Sequence, residues 1–158
     1  MELLYQGSRG GWKTKDFHAK CKNKGATITV IWSSDGLIFG AFADKTWTSF
    51  RVYCKSNKAF LFSLDIPSSE VEPPKVRKNQ DTCSYAMLDY SSYGPSSGWF
   101  CRSYFHISNG TNNNSNSSSY PGNTYQISLG KTDTFLVGSI QIKVSYIEVF
   151  QIILQLIF

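Results

Sequence analysis

The two histidines of the chain are its candidate general bases, because imidazole titrates near neutral pH. A serine or cysteine nucleophile would need one of them as its partner. His18 follows Phe17 in a predicted helix, and His106 lies in a pattern typical of a strand. The sequence contains no G-x-S-x-G elbow. We therefore expect both histidines to have structural or surface roles, with a catalytic base as the alternative.

The four cysteines are scattered along the chain, at Cys21, Cys54, Cys83 and Cys101. They form no C-x-x-C pair, which argues against a redox pair or a zinc ribbon. The N-terminus, MELLYQGSRGG, has neither a basic region nor a long apolar stretch, so it does not resemble a signal peptide. We expect reduced thiols in the cytoplasm, with no metal and no cofactor.

Glu148 is a charge inside the apolar run YIEVFQII. A carboxylate among buried residues needs a partner, because burying it alone is costly. We predict that Glu148 is buried or half-buried and hydrogen-bonded to nearby backbone or to a tyrosine, and we take it as a candidate functional carboxylate. An outward-facing strand position and a role as general acid are the alternatives.

The segment SSDGLIFGAF, residues 33–42, combines a polar turn with an apolar strand. It is not a phosphate-binding loop, since no G-x-x-x-x-G-K-[ST] pattern is present and no helix follows. Asp35-Gly36 predicts the turn of a hairpin between strands 27–32 and 37–42. Gly40 predicts a place where another group packs closely against the strand.

Short apolar or β-branched runs separated by Gly, Ser and Asn predict a mainly β, α+β fold. The expected architecture is an antiparallel sandwich of two sheets with one or two short helices. One helix is predicted in WKTKDFHAKC, with Thr14 as its cap and Gly25 beyond its end. In residues 140–152, the alternation of apolar residues changes parity near Ser145, which indicates a β-bulge.

Three segments are predicted to lie outside the sheets. Residues 66–80 contain prolines and charges and are expected to form a loop at the edge. Residues 109–119 contain only Asn, Ser, Thr and Gly, so we expect a flexible or disordered loop. Residues 153–158 form an apolar C-terminal tail, which is too short to cross a bilayer.

The net charge of +5 raises the question of nucleic acid or an anionic surface as a partner. Lysines cluster between positions 13 and 24, and a smaller basic group lies at 75–78. Neither group is interleaved with aromatic residues in a known nucleic-acid module. We expect solvated basic faces and no nucleic-acid partner.

The order of the motifs LLYQGS, DFHAKC, KGATITVI, SSDGLIFGAF, WTS, KAFLFSL, FLVGS and IEVFQI resembles the TLDc domain, the domain of the oxidation resistance proteins. The resemblance indicates a single domain over residues 1–152, most similar to divergent invertebrate or protist members. It implies a two-sheet antiparallel sandwich. The residues that carry the family pattern are Gly36, Phe39, Gly40, Phe60, Phe62, Gly138, Ser139 and Glu148.

The resemblance also implies a function without catalysis. Similar domains are associated with resistance to oxidative stress and with binding and regulating the vacuolar-type proton ATPase. We therefore expect a monomeric cytoplasmic domain, without a transmembrane segment, that reaches organelle membranes only through a protein partner. The run Gly98-Trp99-Phe100 replaces the family's glycine-rich run, so a function that depends on this loop is in doubt.

Two other functions remain open from the sequence. One is a hydrolase or a thiol-based peroxide-handling enzyme that uses Cys21 or Glu148. The other is a ligand-binding sandwich of the lectin type, suggested by the aromatic content of 15%.

Overall fold

The computed structural model describes residues 1–56, 58–64, 75–78, 86–97, 104–120, 125–126 and 140–153. Within these ranges the strands are β1 (Glu2–Gln6), β2 (Thr27–Ser33), β3 (Ile38–Ala43), β4 (Val52–Cys54), β5 (Phe60–Ser63), β6 (Lys75–Lys78), β7 (Met87–Asp89), β8 (Ser96–Ser97), β9 (Tyr104–His106), β10 (Ser117–Tyr120), β11 (Tyr125–Gln126), β12 (Gln141–Ile142) and β13 (Val144–Gln151). The helices are α1 (Gly7–Gly10), α2 (Thr14–Cys21) and the 3-10 turn η1 (Thr111–Asn113).

The strands form antiparallel sheets, which confirms the predicted mainly β fold. One sheet has the order β1-β13-β2-β3-β5-β6-β11, and a second has the order β12-β10-β9-β8. A small third sheet, β4-β7, was not expected. The two larger sheets share one core, where Phe39 of β3 meets Phe105 of β9 edge to face, with ring centroids 5.8 Å apart. No helix in the described ranges is long and apolar enough to cross a membrane.

The predicted hairpin is confirmed. Thr27 of β2 pairs with Ala43 of β3, and the two strands remain in register up to the turn. Residues of β2 alternate between buried and half-buried positions, as expected for a strand with one face on the core. Gly36 has φ +86°, a left-handed conformation that glycine adopts without steric cost.

The predicted bulge is also confirmed. The pairing of β13 with β2 shifts between Val144 and Tyr146, so Ser145 is the extra residue. Its hydroxyl donates to the carbonyl oxygens of Trp32 (3.1 Å) and Ser33 (3.0 Å). These bonds fix the position at which β13 changes its register.

The prediction of a loop over residues 109–119 was wrong for residues 117–119, which lie in β10 and are buried. The segment contains η1 and most of β10, and Ser117 and Ser119 are fully buried. Its polar side chains form hydrogen bonds with one another, such as Thr111 to Ser117 at 2.5 Å between the hydroxyl oxygens. Asn109 accepts a hydrogen bond from the Thr14 amide at 3.0 Å. Thr111 and Ser117 can be buried here because their hydroxyl groups have hydrogen-bond partners, which composition alone does not reveal.

The prediction of a loop over residues 66–80 was wrong for Lys75–Lys78, which form β6 between β5 and β11. Charged residues are compatible with a strand of an antiparallel sheet, because one face of such a sheet can be solvated. In the tail predicted over 153–158, Ile153 is exposed. Residues 154–158, the motif FLVGS and the run Gly98-Trp99-Phe100 lie outside the described residues.

Candidate functional site

Trp47 attaches the loop between β3 and β4 to the hydrophobic core. Trp47 is buried and packs edge to face on Phe17 of α2, with ring centroids 5.2 Å apart. Its indole N–H donates to the Thr27 hydroxyl at 2.9 Å. The Trp47 carbonyl also accepts a hydrogen bond from the Asn23 amide at 2.8 Å, so the loop leaves the core next to the end of α2.

Asp89, at the end of β7, holds the next two residues of the loop. Its side chain is fully buried. The carboxylate accepts hydrogen bonds from the amides of Thr48 (2.5 Å) and Ser49 (2.9 Å), and from the Thr48 hydroxyl. A buried carboxylate needs such donors in place of water. The loop is therefore wrapped around a negative charge that it stabilises.

Ser49 has a left-handed backbone, with φ +66°. This conformation costs a residue with a Cβ atom about 1–2 kcal/mol, so other contacts must stabilise it. The Asp89 carboxylate binds its amide, and the Ser49 hydroxyl lies 3.0 Å from Nδ1 of His18. The strained residue is therefore fixed from both its backbone and its side chain.

His18 is buried, and its other ring nitrogen faces two carbonyl oxygens. Nε2 lies 2.8 Å from the Tyr93 carbonyl and 3.2 Å from the Tyr90 carbonyl. Since carbonyls only accept, Nε2 carries a hydrogen and donates it to them. Nδ1 forms a hydrogen bond with the Ser49 hydroxyl, so His18 joins α2, the loop and the turn after β7.

The Ser49 hydroxyl and the His18 ring have the distance of a nucleophile and its base. However, the amides of Thr48 and Ser49, which could have bound a developing oxyanion, donate to Asp89 instead. A carboxylate at this position would repel the negative charge of an acyl-transfer intermediate. The cluster therefore anchors the loop, in agreement with a structural role for His18.

The anchored loop presents apolar and basic side chains to solvent. Phe50 is 68% exposed, and Val52 is 40% exposed. The ammonium group of Lys22 lies 5.6 Å from the Phe50 ring centroid, and the Arg51 guanidinium lies 5.0 Å from that of Tyr90. We call these five residues, Lys22, Phe50, Arg51, Val52 and Tyr90, the Phe50 surface.

Glu148 lies on the other side of the core, on the outer face of the seven-stranded sheet. It is half-buried and accepts hydrogen bonds from the Tyr146 hydroxyl (3.0 Å) and the Gln6 amide (3.2 Å). A tyrosine partner was expected. Gln6 is also the cross-strand neighbour of Glu148, so the carboxylate links β1 to β13. Desolvation, and then the hydrogen bond and negative charge of Glu148, raise the pKa of Tyr146 above its usual value of 10.0.

Comparison with known proteins agrees with this architecture. A model of the TLDc domain family matches residues 1–153. The chain belongs to the TLDc domain family. A TLDc-containing relative, the MTOR-associated protein MEAK7 of Gallus gallus, is 32% identical over 62 residues, which are 39% of this chain and 13% of that protein. The matched part thus spans a small fraction of the relative's length.

Several family-pattern residues of this TLDc domain are architectural. Phe39 is in the core, and Phe60 stacks on Phe42 with ring centroids 5.2 Å apart. A Cβ atom on Gly40 would lie 2.0 Å from the Thr29 carbonyl oxygen and 2.5 Å from the Phe62 ring. The close packing predicted at Gly40 is therefore present. Gly138 and Ser139 lie outside the described residues.

The described thiols do not favour redox chemistry in this TLDc domain. Cys21 is fully buried, and desolvation raises its pKa to about 12. Desolvation and the nearby Asp89 charge also raise the pKa of Cys54. Since the thiolate is the reactive form, both shifts oppose attack by these cysteines. Cys83 and Cys101 lie outside the described residues.

No local motif predicts the Ser49–His18–Asp89 cluster. Its members come from α2, the loop after β3 and the end of β7, and none belongs to a local motif. A serine with a left-handed backbone has no sequence signature comparable to Asp-Gly. The one available signal was Asp89 within the apolar run YAMLDY, where a charge in a buried strand requires donors.

Proposed function

We propose that this TLDc domain is a non-enzymatic protein-interaction domain that binds its partner through the Phe50 surface. The observation that carries the proposal is the 68% exposure of Phe50 next to a loop that Asp89 and His18 hold in place. Side chains from α2 and β7 fix this loop, and Ser49 is held in a left-handed conformation. This supports a function in which the position of the exposed Phe50 ring is important.

The physical basis is the energetics of binding hot spots. Aromatic side chains that enter a partner's pocket contribute a large share of the binding energy. A loop that is already ordered loses little conformational entropy on binding, which improves affinity. The hydrogen bonds of Thr48 and Ser49 to Asp89 fix the backbone of the two residues directly before Phe50, so that part of the loop is ordered before binding.

For the partner, we propose the cytosolic sector of the vacuolar-type proton ATPase, with a role in resistance to oxidative stress. The support is the association of TLDc domains with this pump and this response. The domain would act as a cytoplasmic monomer that reaches membranes through its partner. The name of the chicken relative, an MTOR-associated protein, supports an mTOR-containing complex as the second candidate.

The test measures binding of the purified chain to the purified cytosolic sector of the pump by biolayer interferometry. Phe50→Ser should weaken binding by about 2 kcal/mol, roughly thirtyfold in Kd. Leu3→Ser is the matched control, because Leu3 is an exposed apolar residue (44%) in β1. Equal binding by the wild type and Phe50→Ser would refute the proposed surface. If the wild type binds the mTOR-containing complex and not the pump sector, the partner changes but the surface is retained.

A further inference from the structure

Both charged side chains of the Phe50 surface are cations. Lys22 and Arg51 are exposed and stand beside Phe50 and Tyr90. Lys20 and Lys24, on either side of Lys22 in the chain, are exposed as well. Asp44, at the β3 end of the loop, lies beside Lys45, with 3.9 Å between its carboxylate and the ammonium group, and Asp89 is fully buried and accepts hydrogen bonds from the loop. The Asp89 carboxylate faces the interior and offers no acidic group to a partner.

We propose that the Phe50 surface binds an acidic protein segment that carries an apolar anchor. This inference rests on the proposed function and adds the chemical class of the partner. Carboxylates of the segment would pair with Lys22 and with the guanidinium of Arg51, which can bind a carboxylate through two N–H groups. Its apolar side chain would pack on Phe50 and Val52, which are exposed.

The contacts favour a protein segment over nucleic acid. A nucleic-acid site of ordinary affinity neutralises about 6–10 phosphates, whereas this surface contains two cations, Lys22 and Arg51. Stacking with bases needs open aromatic faces. Arg51 already lies over Tyr90, so Phe50 is the one ring of this surface with an exposed face, whereas a strand of bases stacks on successive rings. Exposed Val52 offers an apolar contact that a phosphate backbone cannot use.

The experiment uses fluorescence anisotropy with a short fluorescein-labelled peptide of alternating Glu and Leu residues. A peptide with Gln in place of Glu is the comparison. We expect the Glu peptide to bind and the Gln peptide to bind roughly tenfold more weakly, and Lys22→Glu and Arg51→Glu each to cause a similar loss. The control variant is Lys143→Glu, which reverses an exposed charge in the link between β12 and β13. Circular dichroism verifies that each variant is folded.

Several results would overturn the proposal. The proposal fails if the Glu peptide does not bind, or if the Gln peptide binds as tightly as the Glu peptide. It also fails if Lys22→Glu, Arg51→Glu and Lys143→Glu lose the same affinity for the Glu peptide. Tighter binding to oligothymidylate, or to vesicles that contain phosphatidylserine, would assign the surface to another class of partner. If Phe50→Ser weakens binding to the pump sector while Lys22→Glu and Arg51→Glu do not, the proposed function stands and the acidic partner fails.

Discussion

Replacing Asp89 by Asn tests whether the loop before Phe50 depends on a buried carboxylate. The carboxylate accepts hydrogen bonds from two amides and one hydroxyl. In the Asn variant one oxygen remains as an acceptor, and the new NH2 group faces at least one donor of the loop. A hydrogen bond to a charged group contributes about 1.5–3 kcal/mol, and a buried donor without a partner costs about 1–3 kcal/mol. We therefore expect the free energy of unfolding to fall by about 3 kcal/mol.

Urea unfolding followed by circular dichroism measures this loss. In a thermal scan the same change corresponds to a decrease in Tm of about 6–12 °C for a domain of this size. The matched control is Asp35→Asn, because Asp35 is exposed in the β2–β3 turn. The control should stay within about 0.5 kcal/mol of the wild type. If Asp89→Asn behaves like Asp35→Asn, the carboxylate does not hold the loop, and the explanation of the left-handed Ser49 is refuted.

Three further predictions concern the interior and the outer sheet face. Gly40→Ala should lower the free energy of unfolding in urea by about 3 kcal/mol or more, because the methyl group has no space. The comparison for this first prediction is Gly36→Ala, where no atom lies within 4 Å of the added carbon and which should cost about 1–2 kcal/mol for its backbone alone. Cys21, with its raised pKa, should resist iodoacetamide at pH 8 in native protein and react after unfolding in urea; rapid native labelling, located by mass spectrometry, would contradict its burial. Glu148→Gln should lower the pKa of Tyr146, measured from its ring carbon by NMR, because the negative charge is lost; an unchanged titration would show that the two groups do not interact.

Local patterns predicted much of the sheet. The Asp-Gly turn, the alternation in β2 and the parity shift near Ser145 each depend on residues that are neighbours in the chain. The close packing at Gly40 was predictable for the same reason, since a glycine inside an apolar strand indicates that another group approaches the backbone closely. The predicted partner of Glu148 also lies nearby, because Tyr146 is two residues away on the same strand face.

The errors concerned hydrogen-bond partners that composition and local pattern do not reveal. In the segment 109–119, Asn109, Thr111 and Ser117 have hydrogen-bond partners, which composition does not reveal. Thr14 was predicted to cap α2, but the helix begins at Thr14, and Asp16 accepts the Lys13 amide at 3.1 Å. The Ser49–His18–Asp89 cluster was not predicted, because its residues are far apart in the sequence and meet only in the folded chain.

The most direct test of the account is amide hydrogen exchange, measured residue by residue, with and without the cytosolic sector of the pump. We predict that the amides of Thr48 and Ser49 exchange slowly in the free chain, because both are bonded to buried Asp89. In the complex, added protection should fall on Phe50 and Val52. Fast exchange of Thr48 and Ser49 in the free chain, or added protection on the outer sheet face around Glu148 instead, would contradict the central claim.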